Sequence, residues 1–206
     1  MQYLFTHPLI VGKALLEHIW LSSAALAIAL AIAVPLGVLA ARSRIARGPL
    51  LAVLGVIYTI PSLALFALLI PALGLGFTTA VVGLAAYAQM ILVRNIAAGI
   101  AGVDPAAREA ARGMGMSPWQ QFWLVERPLA MPVALGGIRI AAVSIIGIAN
   151  VAAWIDAGGL GTLVLGGIQD DYPDKAVAGA LVSAALAIFV DFALRRSESA
   201  YRRHAT

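Results

Sequence analysis

The sequence has no cysteine, few charged residues and no nucleotide-binding loop, and each shortage excludes a class of protein. Without cysteine, disulfide scaffolds and thiolate metal sites are excluded. Charged residues make up 12% of the chain, about half the usual share in soluble domains, which excludes an ordinary soluble enzyme or a disordered tail. A Gly-rich phosphate loop ending in Lys-Ser or Lys-Thr is absent, so we expect the chain itself to hydrolyse no nucleotide. The histidines, His7, His18 and His204, are scattered, and we expect neither a metal site nor catalytic residues.

Apolar residues make up 62% of the 206 residues, and the mean hydropathy is +0.93, which indicates a membrane protein. A helix needs roughly 20 apolar residues to cross the hydrocarbon core. Five segments meet that requirement, so we expect a single all-α transmembrane domain over residues 1–206. The first apolar run is long enough to span, and we therefore expect no cleaved signal peptide. The predicted spans are residues 19–41, 50–73, 77–94, 132–155 and 176–195.

The basic residues predict the orientation of the chain in the membrane. All twelve arginines follow the first span, lie between the third and fourth, or lie near the C-terminus, whereas Lys13 and Lys175 fall on the other side. The two sides carry net charges of +7 and −3. The tendency of positive residues to remain inside predicts a cytoplasmic C-terminus and an external N-terminus. Because the basic residues form no single patch with aromatic residues between them, the net charge of +4 does not indicate nucleic-acid binding.

The loop between the third and fourth spans, residues 95–130, is much longer than a helix connection requires. Asp104 and Pro105 predict a helix start, and Gly113 and Gly115 predict its end. Ser117 then predicts the cap of a second helix with tryptophans at 119 and 123. Such a pair of helices is typical of a docking element for a soluble partner, and equally of a helix that lies on the lipid surface.

The same loop resembles the signature of permease subunits of ATP-binding-cassette importers. The signature begins with Glu-Ala-Ala at residues 109–111, and Gly115 follows after three more residues. It ends with an aliphatic residue, Val125, and a proline, Pro128. Arg127 departs from it, because the family usually has Leu there. In that family the segment forms a coupling helix that docks on the cytoplasmic ATPase. The coupling residues that the resemblance implies are Glu109, Ala110, Ala111, Gly113, Met114, Gly115, Met116 and Ser117.

Other blocks of the chain resemble permeases for glycine betaine, carnitine and choline, among them residues 57–76, 86–100, 108–122 and 157–168. The resemblance implies the MetI-like type I importer fold with five transmembrane helices and a cytoplasmic coupling helix. It implies two ATPase subunits that bind ATP and Mg, a second permease chain of the same or a related kind, and an external binding protein, in a bacterial inner membrane. Importers for amino acids such as methionine share the five-span size, so they are the alternative for the substrate. The acidic residues 170–175 are a candidate docking site for the binding protein, or simply a solvated loop.

Polar residues inside the spans are costly, so each is a candidate for the translocation pathway. One group surrounds a proline in the second span, and another lies along a stripe of small residues in the fourth. Both patterns also suit a tolerated bend and ordinary helix packing. An ATP-independent transporter or channel and a membrane scaffold are the rival functions; the chain shows neither an internal repeat nor a charge relay. The pathway candidates are Tyr58, Thr59, Pro61, Ser62, Ser144, Gly147 and Asn150.

Overall fold

The computed structural model describes the backbone of residues 2–205 and the side chains of residues 2–199 and 201, so His204 lies outside the described side chains. Over this range the chain is almost entirely helical. A π-helical turn, Phe122–Glu126, joins the seventh and eighth helices, and a 3-10 turn, Val151–Ile155, follows the eighth. The helices are α1 Gln2–Thr6, α2 Pro8–Arg42, α3 Arg44–Thr59, α4 Ser62–Leu73, α5 Phe77–Ala101, α6 Pro105–Gly113, α7 Pro118–Gln121, α8 Arg127–Ala149, α9 Gly161–Gln169 and α10 Pro173–Ala205.

Within the described part of the chain, four helical stretches are long and apolar enough to cross a membrane: Pro8–Arg42, Phe77–Ala101, Pro118–Ala149 and Pro173–Ser199. Helices α3 and α4, of 16 and 12 residues, are each too short and pass the same test only as a pair. The chain bends by 100° between them. The expected all-α membrane architecture with up to five spans is confirmed. The arginines that end α2, begin α8 and end α10 lie at one end of the bundle, which we call the arginine end.

Helix α5 lies at the centre of the bundle and packs against α2, α3, α4 and α8. The face of α2 that contacts it is built from small residues spaced by four, with Ala25, Ala29 and Ala33 fully buried. Because small side chains let two backbones approach closely, this stripe stabilises helix packing where lipid provides no hydrophobic driving force. On the outside, Ile188 and Phe189 of α10 are about 70% exposed, as suits a face turned to lipid.

The helices extend beyond the third and fourth predicted spans. Helix α5 continues past residue 94 to Ala101, where Ile96, Ala97 and Ile100 remain buried on the core side. The fourth helical stretch starts at Pro118, within the predicted loop, and α8 ends at Ala149, before residue 155. Hydropathy predicts apolar segments rather than helix ends, because the backbone hydrogen bonds of a helix continue wherever one face stays packed.

The second predicted span, residues 50–73, is broken rather than continuous. Pro61 lies at the break, and the Ile60 N–H bonds to the Ile57 carbonyl at 3.2 Å to close α3. Past the break, Phe66 of α4 is fully buried against α5. A Cβ on Gly83 of α5 would meet the Phe66 ring at 2.6 Å, so only glycine permits this approach. The predicted kink therefore exists, but tertiary packing enlarges it into a change of direction.

A glycine turn at residues 158–161 connects the helices at the end opposite the arginines. Gly158 and Gly159 both have φ of +79°, the left-handed conformation that glycine adopts without strain. Their turn packs on the start of α2, where the Leu160 N–H donates to His18 Nδ1 at 3.2 Å and the Gly159 N–H donates to Glu17 at 3.1 Å. His18 is fully buried and also lies 3.1 Å from the Ile146 carbonyl, so it serves the packing of the helices.

Candidate functional site

Helix α6 is a short exposed helix at the arginine end, and local capping sets both of its ends. The Asp104 side chain accepts a hydrogen bond from the Ala106 N–H at 2.9 Å, which confirms the predicted start. At the other end, Gly115 has φ of +77°, and the Met116 N–H bonds back to the Ala111 carbonyl at 3.1 Å. A non-glycine residue would be strained in that conformation. Between these ends, the nine residues of α6 form about two and a half helical turns.

The predicted coupling residues divide by exposure. Ala111 is fully buried against the bundle and Met116 is half-buried, so these two hold the segment in place. Ser117 forms a capping box with Gln120, which starts α7. The remaining members are exposed, with Met114 at 69% exposure. The exposed members are Glu109, Ala110, Gly113, Met114, Gly115 and Ser117.

A buried carboxylate that sequence reasoning missed anchors this segment. Glu126 is 8% exposed and forms ion pairs with two arginines. Its carboxylate lies 3.2 Å from Arg42 Nη2 and 3.2 Å from Arg108 Nε. Gln121 Nε2 lies 3.5 Å from the same carboxylate. Arg108 also donates to the carbonyl of Ile100 at the end of α5. Glu126, at the start of α8, therefore joins α6 to the end of α2, and Arg108 joins α6 to the end of α5.

The π-helical turn at Phe122–Glu126 positions this carboxylate. Such turns insert one extra residue into a helix and often occur at functional sites. Here the turn joins α7 to α8 and packs Trp123 against Trp119, with ring centroids 5.4 Å apart. The Arg127 guanidinium lies over the Trp123 ring at 4.9 Å. The predicted amphipathic helix at 119–125 is therefore the beginning of the fourth span rather than a separate element.

The pathway candidates in the second span surround the break between α3 and α4. Tyr58 is 45% exposed and meets Tyr87 of α5 edge-to-face, with centroids 6.0 Å apart. The Tyr87 hydroxyl donates to the Ile60 carbonyl, a group that the break leaves without a helical partner. The Thr59 hydroxyl bonds the Val56 carbonyl at 2.7 Å within its own helix. Pro61 is exposed beside them, and Ser62 is half-buried at the start of α4.

The candidates in the fourth span lie on α8, nearer the end opposite the arginines. Gly147 is exposed, and a Cβ built there would meet no atom within 4 Å. Ser144 is half-buried one turn away. Asn150 instead faces α10, where its Nδ2 donates to the Ser183 hydroxyl at 2.7 Å. Hydrogen bonds thus connect the break between α3 and α4 to α5, and connect Asn150 to α10.

A second ion pair that the sequence did not predict lies inside the bundle. Arg139 Nε of α8 lies 3.5 Å from Asp191 of α10, and Arg195 Nη2 contacts the same carboxylate at 3.3 Å. Both partners of the first contact are partly buried, at 25% and 34% side-chain exposure. The pairing compensates two charges that would be costly alone in the membrane. These residues therefore fasten α8 to α10.

The arrangement of the apolar helices is that of the membrane subunits of type I importers. A chain of the MetNI methionine ABC transporter, solved in an inward-facing conformation, superposes with a TM-score of 0.82 at 22% identity, covering 95% of this chain and 98% of that one. A chain of an amino acid ABC transporter crystallised with histidines gives a TM-score of 0.74 at 21% identity, covering 98% and 97%. These likenesses establish the fold.

The chain belongs to the family of binding-protein-dependent transport system inner membrane components, whose model matches residues 33–203. It is 40% identical to the osmoprotectant import permease protein OsmW of Salmonella typhimurium, over 95% of this chain and 94% of that one. It is 40% identical to the carnitine transport permease protein OpuCB of Listeria monocytogenes, over 88% and 84%. With the choline transport system permease protein OpuBB of Bacillus subtilis it shares 39% identity, again over 88% and 84%.

Proposed function

We propose that the chain is the permease subunit of an ATP-driven importer that carries a quaternary-ammonium osmolyte such as glycine betaine, carnitine or choline. The observation that carries the proposal is the likeness at 40% identity, over nearly the full length of both chains, to a permease named for osmoprotectant import. Other relatives, 37–40% identical, are named for carnitine, choline and glycine betaine. These compounds share a trimethylammonium group, so one pathway suits all of them.

In this proposal α6 is the coupling helix that fits a groove on the ATPase. Support comes from its exposure at the arginine end and from its anchoring by Glu126, which transmits a push on α6 into the ends of α2 and α8. The small side chains of Ala110 and Gly113 allow close approach, and the exposed carboxylate of Glu109 offers one directed contact. ATP and Mg belong to the ATPase, and the permease binds no cofactor of its own.

The proposed complex contains two ATPases, two permease chains, identical or related, and one external binding protein in a bacterial inner membrane. Two permease chains are required because five spans are too few to enclose a solute. The arginine end faces the cytoplasm, so the N-terminus is external and the C-terminus internal. On the outer side, the binding protein docks beside residues 170–175, where Asp170 pairs with Lys175 at 2.8 Å. It supplies substrate selectivity, since aromatic residues are only 7% of the permease.

Substrate passes along the faces that carry the pathway candidates. Tyr58 and Pro61 supply an exposed aromatic face beside an unwound turn, and Gly147 leaves open space on α8. Ser144 and Asn150 add hydroxyl and amide groups on the same helix. Quaternary ammonium groups bind best over aromatic faces, so Tyr58 is the residue of this set that contacts the cation.

The test is reconstitution of the permease with its ATPase and binding protein in liposomes. Glycine betaine, carnitine or choline is expected to stimulate ATP hydrolysis and uptake, whereas methionine is not. Stimulation by methionine alone would make the chain an amino-acid permease. Uptake that persists without the ATPase would instead show an ATP-independent transporter, and ATPase association without flux a scaffold.

A charge reversal tests the coupling helix separately. Glu109→Lys is expected to reduce both ATPase association and uptake at least tenfold, because its exposed carboxylate faces the partner. Arg47→Glu, a reversal on an exposed residue at the same end, is the matched control and is expected to leave both intact. If both variants bind and transport normally, α6 is not the coupling contact.

A further inference from the structure

A deep apolar groove of about 1070 Å³ opens between α2 and α8 at the arginine end, with α5 as its floor. Its volume lies slightly above the roughly 300–1,000 Å³ typical of ligand pockets. Its walls are apolar side chains such as Val34, Val38 and Met131, and Ile96 and Ile100 form the floor. Neither the coupling contact nor the pathway described above uses this groove.

The length of the groove matches one leaflet of a bilayer. On α2 its lining runs from Leu30 to Arg42, and on α8 from Arg127 to Ile138. At 1.5 Å per helical residue each wall is roughly 17–18 Å long. Half of a hydrocarbon core of about 30 Å is about 15 Å. The groove thus extends from the membrane surface to about the middle of the membrane.

The mouth of the groove is basic and aromatic. Arg42 and Arg127 both line it, whereas no acidic residue does. Among the described residues Arg127 has no acidic partner within 4 Å and is held over Trp123. Arg42 shares Glu126 with Arg108 but keeps half of its side chain exposed. Trp119, at 70% exposure, lies at the same level, where interfacial tryptophans meet lipid headgroups.

We propose that this groove binds one anionic phospholipid, with its acyl chains along α2 and α8 and its phosphate at Arg127 and Arg42. The charge of the mouth selects the headgroup, because guanidinium groups pair with phosphate oxygens and basic pockets between transmembrane helices bind anionic lipids. The proposal also gives a role to Arg127, the position at which the chain departs from the importer signature. It does not depend on which solute the transporter carries.

Tryptophan fluorescence in nanodiscs tests the site. In the full-length chain with Trp20→Phe and Trp154→Phe, the two remaining tryptophans, Trp119 and Trp123, both line the groove. Brominated lipids, which quench tryptophan on contact, are titrated into phosphatidylcholine discs as either phosphatidylglycerol or phosphatidylcholine. Brominated phosphatidylglycerol is expected to reach half-quenching at a mole fraction at least fivefold lower. A single basic residue near an anionic surface contributes about 1 kcal/mol, which corresponds to about fivefold.

Three variants separate the headgroup contact from the groove itself. Arg127→Leu is expected to lower the preference for phosphatidylglycerol about fivefold, while Arg47→Gln, an exposed arginine outside the groove, leaves it unchanged. Val34→Phe fills the groove from a side chain that is 49% exposed and is expected to reduce quenching with both arginines intact. Equal half-quenching by the two lipids, or a preference unchanged in Arg127→Leu, would overturn the proposal. Absence of quenching by either lipid would do so too, since protein would then cover the groove.

Discussion

Removal of one buried charge, Glu126→Gln, is expected to loosen α6 without unfolding the bundle. The carboxylate is 11% exposed and holds Arg42 and Arg108 at 3.2 Å each. Arg42 donates a hydrogen bond to it, whereas Arg108 adds an ion pair. A hydrogen bond to a charged group contributes about 1.5–3 kcal/mol. The two arginine side chains are 50% and 26% exposed, so solvent screening lowers this value. We therefore expect a loss of about 2 kcal/mol, which is about thirtyfold in the equilibrium between attached and detached α6.

Amide hydrogen exchange of residues 105–113 measures this equilibrium directly, because exchange reports local opening. In the variant these amides are expected to exchange about thirtyfold faster, while those of α5 stay unchanged. The matched control is Glu109→Gln, the same substitution at an exposed position of α6, which leaves exchange in α6 at the wild-type rate. Unchanged exchange in Glu126→Gln would refute the anchoring role.

A double-mutant cycle assigns the effect to the pair. Arg108→Gln removes the partner on α6, and Glu126→Gln/Arg108→Gln removes both. If the two residues interact as the structure indicates, the double variant loses less stability than the sum of the single variants, with a coupling energy of at least about 0.5 kcal/mol. Additive losses would mean that Arg108 is held by its bond to the Ile100 carbonyl alone.

Three further predictions concern other parts of the site. Gly115→Ala is expected to lower the folding stability by at least 1 kcal/mol, because it forces alanine into φ of +77° even though the site has room for a Cβ. The melting temperature and substrate-stimulated ATP hydrolysis are both expected to fall. Tyr87→Phe leaves the Ile60 carbonyl without its hydroxyl donor, which is expected to lower the folding stability by about 1–3 kcal/mol. The loss is measurable as faster proteolysis between α3 and α4, and an unchanged digestion rate would contradict it. Gly147→Leu is expected to abolish uptake while ATPase association persists. The control is Gly12→Leu, also at an open helical position. Normal uptake by Gly147→Leu would remove that residue from the pathway.

The features that the sequence predicted well are those set by neighbours in the chain. Asp104 before a proline specifies a helix start because its side chain needs only the amide two residues later. Gly115, with φ of +77°, ends the same helix through local backbone freedom. Hydropathy in turn identified the apolar segments correctly, because membrane spans are set by composition.

What the sequence could not predict depends on residues far apart. The contact between Arg42 and Glu126 joins positions 84 residues apart, and no local pattern distinguishes it from a solvated pair. The 100° bend at Pro61 needs both the packing of Phe66 on Gly83 and the hydroxyl of Tyr87, neither of which is near in sequence. The extension of α5 beyond residue 94 likewise follows from burial against neighbouring helices.

Contacts along the fourth helical stretch link α6 to the far side of the bundle. Helices α7 and α8, joined by the π-helical turn, form one stretch from Pro118 to Ala149, about 48 Å long at 1.5 Å per residue. Near its first end the stretch holds α6 through Glu126, midway it holds α10 through Arg139, and at its last end it holds α10 again through Asn150. A displacement of α6 by a partner therefore acts on α8 and α10 together rather than on α6 alone. Loss of the Glu126 contact removes the first of these connections and leaves the other two intact, so Glu126→Gln is expected to loosen α6 while α8 and α10 stay packed.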